Sequence, residues 1–88
     1  MTEIEDILKE RAKTHGPYSS HSGISQQLKR DCHNSGGWTV LSDCQRESID
    51  MICHKMARIL NGNPNEVDHW LDIEGYAKLS RTEIEKHL

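Results

Sequence analysis

Two aspartates stand four residues apart in "DHWLDIEGYAKL", residues 68 to 79, inside a stretch that otherwise patterns as a helix. On a helix, Asp68 and Asp72 share one face about a turn apart, where like charges repel. Holding a hard divalent cation would make such a pair useful. Mg²⁺ takes carboxylate oxygens and completes its shell with water and phosphate oxygens. Glu47 and Asp50, three apart in an earlier helical stretch, form a second pair, and two helices that each present two carboxylates are a common way to build a metal site in a bundle. Lys55 and Arg58 follow on that stretch and would serve as phosphate ligands if they face the same groove. The same residues also have an explanation without a ligand. Acids in the first turn of a helix meet its macrodipole favourably, which accounts for Glu47 and Asp68, and Lys55 and Arg58 can be solvated or paired along the helix. Spacing alone leaves both open.

Helical periodicity supplies the elements that would position these groups. Thr2 and Glu5 have the spacing of a capping box, Ile4, Ile7, Leu8 and Ala12 recur at helical intervals, and Gly16-Pro17 ends the first helix. "YSSHSG" reads as a polar loop, and "ISQQLKRDCHNSGG" as a short, weakly amphipathic second helix stopped by Gly36-Gly37. "LSDCQRESIDMICHKMARILNGNP" is the clearest helix, opened by Ser42 and Gln45 in capping-box spacing and closed by Gly62 and Pro64. At 100° per residue, Ile49, Ile52, Cys53, Met56, Ile59 and Leu60 fall on one face, and Glu47, Asp50, His54, Lys55 and Arg58 on the other. Asn63 looks like the cap of a fourth helix from 64 to about 79, with Pro64 at its first position. Val67, Trp70, Ile73 and Ala77 form its apolar arc, with Asp68, Asp72, Gly75 and Tyr76 across it. Glycine inside a helix costs about 0.5–1 kcal/mol, so Gly75 predicts close approach of a neighbouring helix or a ligand. Ser80 and Glu83 repeat the capping-box spacing and predict a last short helix or a kinked continuation. No strand-like alternation appears. The pattern implies an all-α fold, a small antiparallel bundle of four to five helices completed by dimerisation.

Composition narrows the function classes. Eighty-eight residues with 34% hydrophobic content suit one domain over residues 1–88, and four aromatic residues with no Phe leave its core lean. Self-association is one way to make up that deficit. A formal charge of -3 lacks the basic excess expected for nucleic acid. No apolar run approaches the roughly 18 residues that would span a bilayer, and the acidic, amphipathic start is unlike a signal peptide. The expected compartment is the cytoplasm, with Cys32, Cys44 and Cys53 as reduced thiols.

Two segments carry a resemblance. "RESIDMICHKMARILNGNPNEVDHWLDIEGYAKL", residues 46 to 79, and "ILKERAKTHGPY", residues 7 to 18, resemble short phage and prophage proteins related to the MazG-like all-α nucleoside triphosphate pyrophosphohydrolases. Together they cover about half of the chain. That resemblance implies a MazG-like helical domain, a homodimer, and Mg²⁺-dependent hydrolysis of a nucleotide to its monophosphate and pyrophosphate, in the host cytoplasm if the chain is phage-encoded. Carried over by position, it makes Glu47, Asp50, Asp68 and Asp72 metal ligands, with Glu47 or Asp50 as the base that takes a proton from the attacking water. Lys55 and Arg58 would then stabilise the leaving pyrophosphate, and His15 and Tyr18 would contact a base or sugar. The sequence departs from the enzymes' doubled acidic motif, EExxE followed by ExxD: here the first is "ESID" after Arg46, and the second has its acids four apart.

Two other readings compete. The two "CH" pairs, Cys32-His33 and Cys53-His54, offer zinc ligands, but no paired C-x₂₋₄-C or H-x₃₋₅-H spacing accompanies them. Cys53 reads instead as core. The second is a catalytically silent helical module that binds a host protein, which the weakened acidic motif would suit. Trp38 would then be an exposed anchor, although Val40 and Leu41 beside it favour a core plug.

Overall fold

A computed structural model describes residues 2–88 as an all-α domain, and no strand occurs among them. Four helices, α1 (Glu3–His15), α2 (Tyr18–His33), α3 (Asp43–Asn61) and α4 (Val67–Glu85), are joined by short turns, with a single 3₁₀ turn at Trp38–Val40. None of the described helices is long and apolar enough to cross a membrane.

Two of the three expected capping boxes form. The Thr2 hydroxyl accepts from the Glu5 amide, and the Glu5 carboxylate accepts from the Thr2 amide; Ser42 and Gln45 reciprocate in the same way at the start of α3. α1 stops at Gly16, whose φ of 72° is open to glycine at little cost. The expected loop at residues 18–23 is instead the opening of α2. Pro17, extended with its φ at -61°, starts that helix without a break, and the Ser22 hydroxyl donates back to the Tyr18 carbonyl at 2.7 Å.

α4 differs from expectation at both ends. Residues 63–65 form a turn in which the Asn63 side chain accepts from the Asn65 amide, so the first helical residue is Val67 rather than Pro64. At the other end the helix runs through Ser80 without interruption to Glu85. Ser80 does not cap a new helix because its hydroxyl turns sideways onto Ser48 Oγ, 2.6 Å away, and Ser48 in turn donates to the Tyr76 carbonyl at 3.2 Å.

α3 lies at the centre, and cross-contacts fix its neighbours' directions. Asn61 meets Pro17 while Asp50 meets His33, so α2 runs antiparallel to α3. Lys55 meets Asp72 while Ser48 meets Ser80, so α4 is antiparallel to α3 on another side. α3 is thus covered on two sides, and its polar face is largely enclosed: of its members only Glu47 is exposed, with Asp50, His54, Lys55 and Arg58 half-buried. Conversely, Met56 and Leu60 from the expected apolar face are exposed.

The interior is small and largely polar. Cys53 and Ala57 are the buried hydrophobic residues, alongside buried His21, Ser25, Ser48 and His69. α4 turns His69, Asp72, Ile73, Tyr76 and Ser80 towards α3, and leaves Val67, Trp70 and Ala77 of its expected apolar arc exposed. Nothing lies within 4 Å of where a Gly75 side chain would start, so no helix of the same chain approaches it closely. Trp38 is half-buried, with its ring 4.2 Å from that of His33 and the Arg46 guanidinium 5.9 Å from its centre.

Candidate functional site

The end of α1 is tied to the end of α3 at backbone level. Asn61 Nδ2 donates to the carbonyls of His15 and Pro17, both at 2.9 Å, and the Asn63 amide donates to the Thr14 carbonyl at 2.9 Å. Two glycines make this approach possible. A β-carbon at Gly16 would collide with the Asn61 carbonyl, and one at Gly62 with the Thr14 carbonyl. This knot fixes His15 over the junction of α3 and α4, where its ring lies 5.1 Å from that of His69.

Beneath His15 lies an open basin walled by Thr14, Arg58, Glu66, Asp68, His69 and Asp72. Lys55 reaches its edge and pairs with Asp72 at 3.0 Å; the Lys55 side chain is only 12% exposed. His15 and Arg58 also border a second groove, completed by Leu8, Arg11, Ala12, Tyr18, His21 and His54. The His21 and His54 rings meet edge to face there, with their centres 4.7 Å apart.

The electrostatics of these depressions centre on Arg58. Among the described residues it makes no ion pair. Burial, followed by the nearby Arg11 charge, lowers its pKa. Three imidazoles near it, those of His15, His21 and His54, avoid adding charge. Burial, then the Arg58 cation, pushes His15 and His54 down to about 4, and the same two causes lower His21. The hydrogen bond and charge of Lys55 hold the Asp72 carboxyl below the usual carboxylate range. Two buried ring nitrogens, His21 Nδ1 and His69 Nε2, have no hydrogen-bond partner. The arrangement is a half-buried guanidinium, a lysine and imidazoles beside three carboxylates, Glu66, Asp68 and Asp72. It can hold an anion at Arg58, and a cation at the Asp68/Asp72 edge.

Six of the eight residues selected from the sequence meet here: Asp68, Asp72, Arg58 and His15 line the basin, Lys55 holds Asp72, and Tyr18 lines the adjoining groove. Glu47 and Asp50 do not join them. Glu47 is exposed on α3, and Asp50 turns to α2, where His33 holds it at 2.6 Å. Among the described residues no three histidine, cysteine or acidic side chains converge as ligands of one metal ion. The pair Asp68 and Asp72 nevertheless suits Mg²⁺, which is commonly held by one or two carboxylates with water and substrate phosphate completing the shell. Cys53 is buried as expected of a core residue, next to Cys32.

Sequence reasoning missed Thr14, His21, His69 and Asn61. For His21 and His69 the signal is the concentration of histidines, six in 88 residues, of which four gather around Arg58; Thr14 and Asn61 carry none. Comparison with protein-family models, with curated proteins and with solved structures finds no match. The resemblance to MazG-like proteins therefore rests on the quoted segments alone.

Proposed function

We propose that the chain binds a nucleoside triphosphate with Mg²⁺, as a small MazG-like relative of the pyrophosphohydrolases, of phage or prophage origin. The observation that carries this reading is Arg58: a half-buried cation that makes no ion pair among the described residues, beside His15 and His54 imidazoles kept neutral and three carboxylates, Glu66, Asp68 and Asp72. Partial burial disfavours the Arg58 charge, the more distant Asp72 offsets this only in part, and an anionic ligand would offset the rest. Arg58 takes phosphate oxygens in this scheme, and Asp68 and Asp72 hold the metal. Lys55 passes from Asp72 to phosphate as the ion arrives. Tyr18 and His15, bordering the adjoining groove, face the base or sugar.

Bound Mg²⁺ would neutralise phosphate charge and orient an attacking water. Hydrolysis also needs a base, and Glu47 and Asp50 hold that role by resemblance only, since Asp50 is engaged by His33 and Glu47 stands in solvent. Binding is thus what the basin supports, and turnover is the further step that the resemblance adds. Self-association belongs to the same proposal. Val67, Leu71 and Leu79 of α4 are 71%, 57% and 65% exposed while only two hydrophobic side chains are buried among the described residues, and a second copy would cover that surface.

The test is pyrophosphate release from a panel of deoxynucleoside triphosphates with Mg²⁺, comparing wild type with Asp72→Asn. Turnover that disappears in the variant supports a hydrolase with its metal on α4. A folded protein that neither turns over nor binds any triphosphate overturns the reading and favours a module that docks a host protein through the exposed side of α4.

A further inference from the structure

The contact between α2 and α3 contains a pair of thiols that the basin does not use. Cys32, in the last turn of α2, and Cys53, in the middle of α3, place their Sγ atoms 3.7 Å apart. Cys53 is 4% exposed, whereas Cys32 is half-buried and lines an open depression beside Ser35 and Trp38. A small reagent in that depression therefore meets Cys32 first. Cys44, the remaining cysteine, is exposed near the start of α3.

We propose that Cys32 and Cys53 are a modification site: a small-molecule disulfide of the glutathione class oxidises them to an intramolecular disulfide that joins α2 to α3. A covalent S–S bond is about 2.05 Å long, so the sulfurs must approach by roughly 1.7 Å, a movement on the scale of side-chain rotation. The two helices are already apposed, since His33 and Asp50 pair beside the thiols at 2.6 Å.

The chemistry has a fixed order. Cys32, as thiolate, attacks one sulfur of the small disulfide; the S–S bond of the reagent breaks, and one thiolate leaves. Burial and the neighbouring Cys32 push the Cys53 thiol up to about 11, so it stays protonated and does not make that first attack. With Cys32 capped, Cys53 gives its proton to a solvent base and attacks the Cys32 sulfur of the mixed disulfide as thiolate; the S–S bond to the small molecule breaks, and the second thiolate leaves and takes up a proton. Two protein thiols are oxidised by two electrons, and one small disulfide is reduced to two thiols.

The experiment uses the full wild-type chain. It is incubated folded with oxidised glutathione, its remaining thiols are alkylated, and the digest is mapped by mass spectrometry without reduction; a second sample is treated while denatured in urea. The folded chain is expected to lose two hydrogen masses and to yield the Cys32 peptide joined to the Cys53 peptide. In urea the bridge should shift towards Cys44 and Cys53, which lie closer along the sequence. Cys32→Ser, treated with oxidised glutathione while folded and alkylated after unfolding, should show Cys53 still free to alkylate. A Cys32 that remains free, stops at the glutathione adduct, or pairs with Cys44 in the folded chain would overturn the proposal.

Discussion

The two sides of α4 teach opposite lessons. Its inner side, His69, Asp72, Tyr76 and Ser80, is mostly polar and is engaged by α3 through an ion pair and a chain of hydroxyl hydrogen bonds. Its outer side exposes Val67, Trp70, Leu71 and Leu79 among the charged side chains of Glu74, Lys78 and Arg81. A surface helix of a monomer ordinarily turns its large apolar residues inward, whereas here Ile73 is the one large aliphatic residue on the inner side. This arrangement separates two jobs. The inner side builds a polar basin with α1 and α3, and the outer side offers apolar surface that the proposed dimer would cover.

The largest expected effect comes from breaking the basin at its backbone. Gly16→Ala places a β-carbon at positive φ and against the Asn61 carbonyl, and should cost on the order of 3 kcal/mol in urea unfolding. Unchanged stability would mean that the α1 and α3 ends are not locked together. Arg58→Gln sharpens the ligand side of the comparison. Hydrogen bonds to charged groups are worth about 1.5–3 kcal/mol, so affinity for a triphosphate measured by calorimetry should fall at least about tenfold, with the fold retained.

A third prediction concerns acid. His15 and His54, held near about 4 in the folded state, have an unfolded value near 6.5. Above about pH 6.5 both states are neutral and the full stability is present. As pH falls from there towards 4, the unfolded chain takes up protons first, and stability is progressively lost. The melting temperature should therefore drop across that window, and replacing both histidines with glutamine should flatten the slope. The smallest effect on folding is expected on the outer side. Leu71→Gln with Leu79→Gln should alter monomer stability by no more than about 0.5 kcal/mol each, yet abolish the concentration dependence of melting that a dimer confers. Wild-type melting that is independent of concentration would count against self-association.

Legibility in the sequence followed the kind of signal each element carried. α1 and α3 were readable because reciprocal caps and Gly-Pro or Gly-x-Pro stops are local chemistry, and the same bonds form in the structure. The start of α2 was not, because its buried positions are His21 and Ser25, which a search for apolar periodicity passes over. The continuous α4 was hidden by Ser80, which resembles a cap locally but spends its hydroxyl on Ser48, 32 positions away. At the site, Asp68 and Asp72 were visible as a spaced pair, and Lys55 and Arg58 as nearby cations. That Asp50 turns to His33 while Asp72 meets Lys55 is set by which helix covers which side of α3, and spacing within one helix carries no such information.

The central claim is that the basin around Arg58, rather than the outer side of α4, receives a phosphate ligand. Titration of the ¹⁵N-labelled protein with Mg²⁺ and inorganic triphosphate, followed residue by residue by NMR, tests it most directly. The account predicts shifts concentrated at His15, Arg58, Asp68, His69 and Asp72, with Val67, Leu71 and Leu79 unmoved. A spectrum that does not change, or one that changes along the outer side of α4 alone, would contradict it.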